Sequence, residues 1–303
     1  MDVRDSTILI LGGAGLVGGA AGRRLAARRP RRLVLASLRK EEAEEAVADL
    51  KSEMDVQGVA IDPAWGDIFL PAEMKDRSWP EIAGRPEERE RMIDDLYGEL
   101  TPEVFERSTL GRLLLEVEPD IVVDCVNTAG VLAYRNVFAS VAELRESARR
   151  DEVDPESVDR HLGTLYLPKL IRHAQVALEG MKRVDTEMYV KVGTSGTGGM
   201  GLNIPFTHSE ERPSRVLLAK AGLAGAHSLL LYLMARTPGA PAVKEVKPTA
   251  AISWKSVGVG PIRKGGRTVK RVDAVRALAV EEAFGDDAGT GYRELDRPLE
   301  GVY

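Results

Sequence analysis

The sequence predicts an α/β fold built as a doubly wound parallel sheet, and three observations carry that expectation. Short apolar runs alternate with segments of helical spacing along the first 248 residues. A glycine-rich turn over 12–18 joins the first apolar run to the first helical segment. The run Asp120-Ile121-Val122-Val123-Asp124-Cys125-Val126 is nearly continuous apolar sequence, as in a central parallel strand covered on both faces.

The elements follow in order. Residues 7–11 (TILIL) read as a buried strand, and GLVGGAAGRRLAARR as the helix after it. Residues 32–36 form a second strand. KEEAEEAVADLKSEM has the composition of an exposed helix, and 57–61 (QGVAI) read as a third strand. Residues 63–110, with Trp65, Trp79 and several prolines, are too long for a plain crossover and read as an insertion holding a helix at 86–97. One helix over 102–117 leads into the strand at 120–126. A long helix at about 155–182, a strand at 187–193, a Gly-rich loop at 193–203 and a polar loop at 204–213 come next. An apolar helix over about 214–236 and a strand at 243–248 complete the sheet. These segments make a nucleotide-binding domain over 1–248. Residues 249–303 read as a small, loop-rich C-terminal substrate lobe without an obvious closing element, as if the chain could continue past Tyr303.

The chain has 303 residues, 44% hydrophobic and 29% charged, with a formal net charge of −5, which argues against nucleic acid as a partner. The arginines at 23, 24, 28, 29, 31 and 32 read as a solvated helix face and turn. The single cysteine, Cys125, cannot form an internal disulfide, and with the polar N-terminus it points to a cytoplasmic protein. No apolar run reaches the ~20 residues that span a bilayer, so no membrane partner is expected.

Gly12, Gly15 and Gly18 sit three apart between strand and helix. The first permits a tight turn, the second lets the backbone approach a pyrophosphate, and the third lets helix pack on strand. The phosphates then meet the helix N-terminus around Leu16 and Val17. An NAD site usually places a carboxylate at the end of the second strand. Here Ala36-Ser37-Leu38-Arg39-Lys40 offers a hydroxyl and two cations, which suit the 2′-phosphate of NADP. Glu41 and Glu42 come later and read as a helix first turn. NADP is the expected cofactor, with NAD as the alternative.

GGAGLVGGAAGRRL resembles the nucleotide loop of extended short-chain dehydrogenases, the NAD-dependent epimerase/dehydratase group with its Rossmann fold. Gly66-Asp67-Ile68 resembles that family's adenine-contacting segment, and Asn127-Thr128-Ala129-Gly130 its motif after the fourth strand. Gly163-Thr164 falls in a similar local pattern on the next helix. Thr194-Ser195 stands where the family places a catalytic hydroxyl, with Thr197 a rival for that register. Lys220 stands where the family lysine holds the nicotinamide ribose, and Lys247-Pro248 and Val259-Gly260-Pro261 resemble the stretch after the sixth strand. The resemblance covers about 6–262. It implies hydride-transfer, epimerase or dehydratase chemistry on a small molecule, and a homodimer through the helices at 155–180 and 214–236.

The sequence departs from that family where the proton moves. The family tyrosine, four residues before the lysine, is Val216 here, and Arg160 stands near a usual asparagine. Ser195 remains the hydroxyl candidate, Lys220 the ribose ligand, and His208 the substitute proton donor, with Tyr166 a weaker one. A different class also fits Val216: an NADP(H)-binding sensor or assembly subunit without turnover. Gly196, Gly198, Gly199 and Gly201 would let a ligand approach the backbone after Ser195. His161, His173 and His227 lack the spacing of metal ligands, so no metal is expected.

Overall fold

The computed structural model describes residues 3–54, 56–133, 137–193, 215–246, 259–261, 263–264, 267–276 and 291–302. The chain divides into two units, Met1–Ala250 and Ala251–Tyr303.

In the first unit, β1 (Thr7–Leu11) leads into α1 (Leu16–Ala26), β2 (Arg32–Ser37), α2 (Lys40–Glu53) and β3 (Ala60–Trp65). The insertion then carries α3 (Trp79–Ala83), α4 (Pro86–Tyr97), α5 (Pro102–Arg107) and α6 (Thr109–Val117). After β4 (Ile121–Asp124) come α7 (Thr128–Ala133), α8 (Val137–Arg149), α9 (Pro155–Leu162) and α10 (Tyr166–Arg183). The unit closes with β5 (Met188–Val192), α11 (Arg215–Ala235) and β6 (Ala242–Val246).

All six strands pair in parallel, in the order β3-β2-β1-β4-β5-β6. This is the doubly wound α/β arrangement, the Rossmann fold, and its strand order reverses between β1 and β4. Alternate residues of each strand feed the two faces. Leu9, Leu11, Val34, Ala36 and Val122 pack with Phe105, Leu114, Val176 and Met181 on one face. Ile8, Ile10, Leu33, Leu35 and Val123 pack with Ala26, Val47 and Leu50 on the other. Each fully buried aliphatic side chain contributes about 1.5–3 kcal/mol relative to exposure.

Several sequence expectations move. The third strand is shifted from 57–61 to 60–65 and runs through Pro63; β3 lies at the sheet edge, where a residue without an N–H is tolerated. The single helix expected over 102–117 is two, because Ser108 accepts from Gly111 N–H at 3.0 Å and caps a new helix start. The long helix at 155–182 is likewise two, broken at Gly163-Thr164-Leu165, so Gly163 caps α9 rather than lying within a helix. A side chain at Gly163 would meet the Trp79 ring at 2.0 Å, which fixes the break against the insertion. Helix α8 has no counterpart in the sequence reading: none of its residues is buried, so it lacks the apolar stripe that periodicity detects.

The second unit contains short antiparallel pairs. β7 (Val259–Pro261), β8 (Arg263–Lys264), β9 (Arg267–Thr268), β10 (Lys270–Ala274), β11 (Tyr292–Pro298) and β12 (Glu300–Val302) pair as β10 with β11, β12 with β7, and β8 with β9. The segment expected to be loop-rich thus carries hairpin structure.

Candidate functional site

The site is built at the strand ends where the sheet order reverses. Gly12 closes β1 with φ +78°. A Cβ there would lie 3.2 Å from the Cys125 carbonyl carbon, so β1 and the end of β4 meet at backbone range. Gly15 N–H donates to Gly12 O at 3.0 Å and Gly13 N–H to Ala36 O at 2.8 Å, tying the turn to β2. A Cβ on Gly18 would stand 2.1 Å from Gly12 O, which only glycine avoids.

Helix α1 starts at this turn with Gly15 as N-cap, no side-chain cap and no acidic residue in its first turn. Its first N–H groups lack intrahelical acceptors by the geometry of any helix start. Leu16 and Val17 are exposed beside them, Leu16 at 81%. By contrast, α2 opens on Glu41 and Glu42, and α4 on Glu87 and Glu88, carboxylates that occupy the positive ends of those helices. The α1 terminus therefore has the donor set and field for a pyrophosphate, and the glycine cradle fits a dinucleotide.

At the end of β2, Arg39 is the exposed N-cap of α2. Lys40 Nζ lies 5.3 Å from the centroid of the Trp65 ring, and Lys75 Nζ lies 4.3 Å from it. Lys75 is a third cation that the sequence reading missed; it comes ten residues after Trp65, where no periodicity points to it. One expectation is corrected here. The sequence places no carboxylate at this position, yet Ser37 Oγ donates to Glu42 Oε2 at 3.0 Å. One turn of helix swings Glu42 back over the strand end, and Glu44 lies 3.7 Å from Lys40 Nζ, so carboxylates share the corner with the cations.

Asp67 follows Gly66, whose φ is +134°. Its Oδ1 accepts from Phe69 N–H at 2.9 Å, so the carboxylate shapes the turn that carries Ile68. Ile68 packs partly buried against the core. On the far side of the reversal, Asn127 is exposed and its carbonyl accepts from Val131 N–H at 2.9 Å at the start of α7, whose backbone carries Ala129 and Gly130.

Behind Asn127 lies a polar cluster that the sequence reading did not find. Asp124 is fully buried, 2.9 Å from Lys191 Nζ and 2.6 Å from the Tyr189 hydroxyl that donates to it. Lys191 also donates to Val126 O at 2.6 Å and reaches Thr128 Oγ1 at 3.4 Å. One ammonium thus ties the end of β5 to the segment carrying Asn127. Burial alone would raise the Asp124 carboxyl, but Lys191 and the Tyr189 hydrogen bond hold it below the usual range. Burial and the Asp124 charge push the Tyr189 phenol up. Burial, with Asp124 beside it, pushes the Cys125 thiol up to about 11.

His173 and His227, which the sequence reading left as packing residues, border this cluster with ring centroids 6.3 Å apart in an edge-on arrangement. Burial lowers each to about 4, so both imidazoles are neutral at pH 7. His161 is on α9, not on the helix of His173; its Nδ1 is 2.9 Å from Ser140 Oγ. No metal-binding cluster occurs among the described residues.

Lys220 is 8% exposed on α11, and Val216 lies one turn before it on the same helix. Tyr166 begins α10, partly buried against Leu132, Leu170 and Leu223. Arg160 is held on the surface by Glu156 at 2.6 Å. Ser195, Thr194, Thr197, His208 and the glycines at 196–201 lie outside the described residues. Among the described residues, no helix is long and apolar enough to cross a membrane.

The sequence matches no protein-family model and no curated protein. Similar solved structures exist. The bulky-bulky ketone specific alcohol dehydrogenase from Comamonas testosteroni is 15% identical at TM-score 0.40, over 81% of this chain and 73% of that one. A short-chain dehydrogenase from Sphingobium yanoikuyae in complex with NADPH is 16% identical at TM-score 0.38, over 80% and 70%. Pen from Bacillus thuringiensis is 11% identical at TM-score 0.41, and the chain spans 51% of its length.

Proposed function

We propose that this chain is an NADP-dependent oxidoreductase of the short-chain dehydrogenase type, acting on a small molecule. The observation that carries the reading is the glycine-paved turn at the sheet's reversal point, opening onto a helix start without acid or cap. Gly12, Gly15 and Gly18 and the N–H groups of Leu16 and Val17 would cradle the pyrophosphate. Arg39, Lys40 and Lys75 would pair with the 2′-phosphate, while Ser37 is engaged by Glu42. Asp67, Ile68, Asn127, Ala129 and Gly130 would border the rest of the cofactor, whose nicotinamide supplies or takes up hydride. Lys220 would hold the ribose, Ser195 would polarise the substrate oxygen, and His208 would move the proton that Val216 cannot. Leu229, Tyr232 and Leu233, more than half exposed on α11, would suit a homodimer interface.

The test is calorimetric titration with NADP⁺, NADPH, NAD⁺ and NADH. NADP(H) should bind more tightly than NAD(H). Arg39→Ala should weaken NADP(H) about tenfold, the loss of one charge-assisted bond. Glu42→Gln should strengthen it by removing the carboxylate that engages Ser37. If none of the four binds, the reading fails; if NAD(H) binds better, Glu42 rather than Arg39 sets the preference.

A further inference from the structure

The insertion builds a second pocket that shares Ile68 alone with the residues assigned to the cofactor. It lies between α4 and α5 on one side and α10 on the other, and opens to solvent. Most of its wall is apolar: Ile68, Phe69, Met92, Leu96, Val104 and Val176.

Its two cations and its histidine come from one turn of α10, while Asp95 and Ser108 line the opposite side. Arg172 Nη2 donates to the carbonyls of Gly98 and Leu96, at the C-terminal end of α4. Its Nε and Nη1 have no hydrogen-bond partner among the described residues. The adjacent His173 also faces the pocket, is only 5% exposed, and its Nδ1 is likewise unpartnered. The buried Arg172 N–H groups without acceptors would be relieved by an acid group, to which His173 Nδ1 can also donate in its Nδ1–H tautomer. Lys169 adds a second cation; it donates to Gly163 O and lies 4.9 Å from the centroid of the Trp79 ring. The opposing charge, Asp95, is already paired with Arg107. The wall thus sets the Arg172 guanidinium beside an apolar chamber.

We infer that this pocket binds an apolar monocarboxylic acid, its body against Met92, Leu96 and Val104 and its carboxylate toward Arg172 and His173. None of the glycine turn, Arg39, Lys40 or Lys75 lines this pocket, and the inference does not depend on the activity proposed above.

Octanoate and octan-1-ol, equal in chain length and different in charge, are suitable probes for calorimetry on the full chain. Octanoate should bind about tenfold more tightly than the alcohol, the ordinary increment of a hydrogen bond to a charged group. Arg172→Met should remove that preference and leave octanol binding in place. Because Arg172 also closes the end of α4, Val104→Trp is the second variant, and Met92→Trp repeats it from the facing helix. Either should abolish binding of both probes with an unchanged NADP⁺ titration, which reports a folded chain; Met92→Trp, in the core, should also lower the unfolding midpoint. The inference is overturned if acid and alcohol bind equally, if Arg172→Met keeps the preference, if octanoate still binds the tryptophan variants, or if the unaltered chain binds neither. An NADP⁺ titration in the same preparation reports on the nucleotide site alone, so the two readings fail separately.

Discussion

Two regions at the same edge of the sheet are built in opposite ways. The β1–α1 turn is made of backbone: three glycines, N–H groups and a helix end, with hardly a side chain involved. The β4–β5 interior, just across the reversal, is made of charged and polar side chains, Asp124, Lys191, Tyr189 and Thr128, packed where strands normally hold aliphatics. The first region can receive an anion because its glycines carry no side chains to cover the N–H groups of the helix start. The second fills itself and fixes the segment beneath Asn127. Its ion pair is a costly way to hold two strands, since two charges leave water to form it.

The largest expected effect comes from breaking that pair. Lys191→Met or Asp124→Asn alone should cost about 3–5 kcal/mol, because each leaves a buried partner uncompensated. The double variant with matched apolar residues, Lys191→Met with Asp124→Leu, should recover much of the loss. Urea unfolding of the three proteins checks this; a double-variant loss equal to the sum of the two single losses would show that the charges do not act as a pair. A smaller effect is expected from acid. The folded pKa of His173 and of His227, about 4, lies below the unfolded value of about 6.5. The unfolded chain therefore binds more protons in that window, and stability present above pH 6.5 is lost as pH falls toward 4. Between pH 8 and pH 5 the loss should be about 2 kcal/mol for each imidazole, read from unfolding midpoints in urea. His173→Phe should flatten part of that dependence; an unchanged slope would remove His173 as its source. The smallest change in stability should come from the glycine turn. Gly18→Ala places a methyl against Gly12 O and should cost about 2 kcal/mol while abolishing NADP⁺ binding. A variant that binds normally would show that the turn is not the nucleotide site.

The same contrast explains what the sequence made legible. The glycine spacing, the element order and the apolar run of β4 all follow from local sterics and burial, so they stand in one stretch of chain. The Asp124–Lys191 pair joins residues from separate strands, and each of those strands reads as ordinary apolar sequence with one charge in it. Only the register, which sets Asp124 opposite Lys191, brings them together. Glu42 is missed for a related reason: its distance along the chain suggests a helix start, while its side chain turns back to Ser37. Lys75 and Arg172 likewise gain their places from tertiary contact with Trp65 and the end of α4. The breaks at Ser108 and Gly163 pass unnoticed because helical spacing continues across both.

Pro63 has a consequence beyond the course of β3. An open parallel sheet has two rims, and each is a template on which another copy's backbone could add a strand. On one rim, Pro63 removes a donor that such an addition would need. On the other, β6 presents Lys244 and Glu245, charges that an incoming strand would have to desolvate. Growth from either side of the sheet is thereby discouraged, and the protein can keep a long, apolar parallel sheet without inviting self-association into fibres.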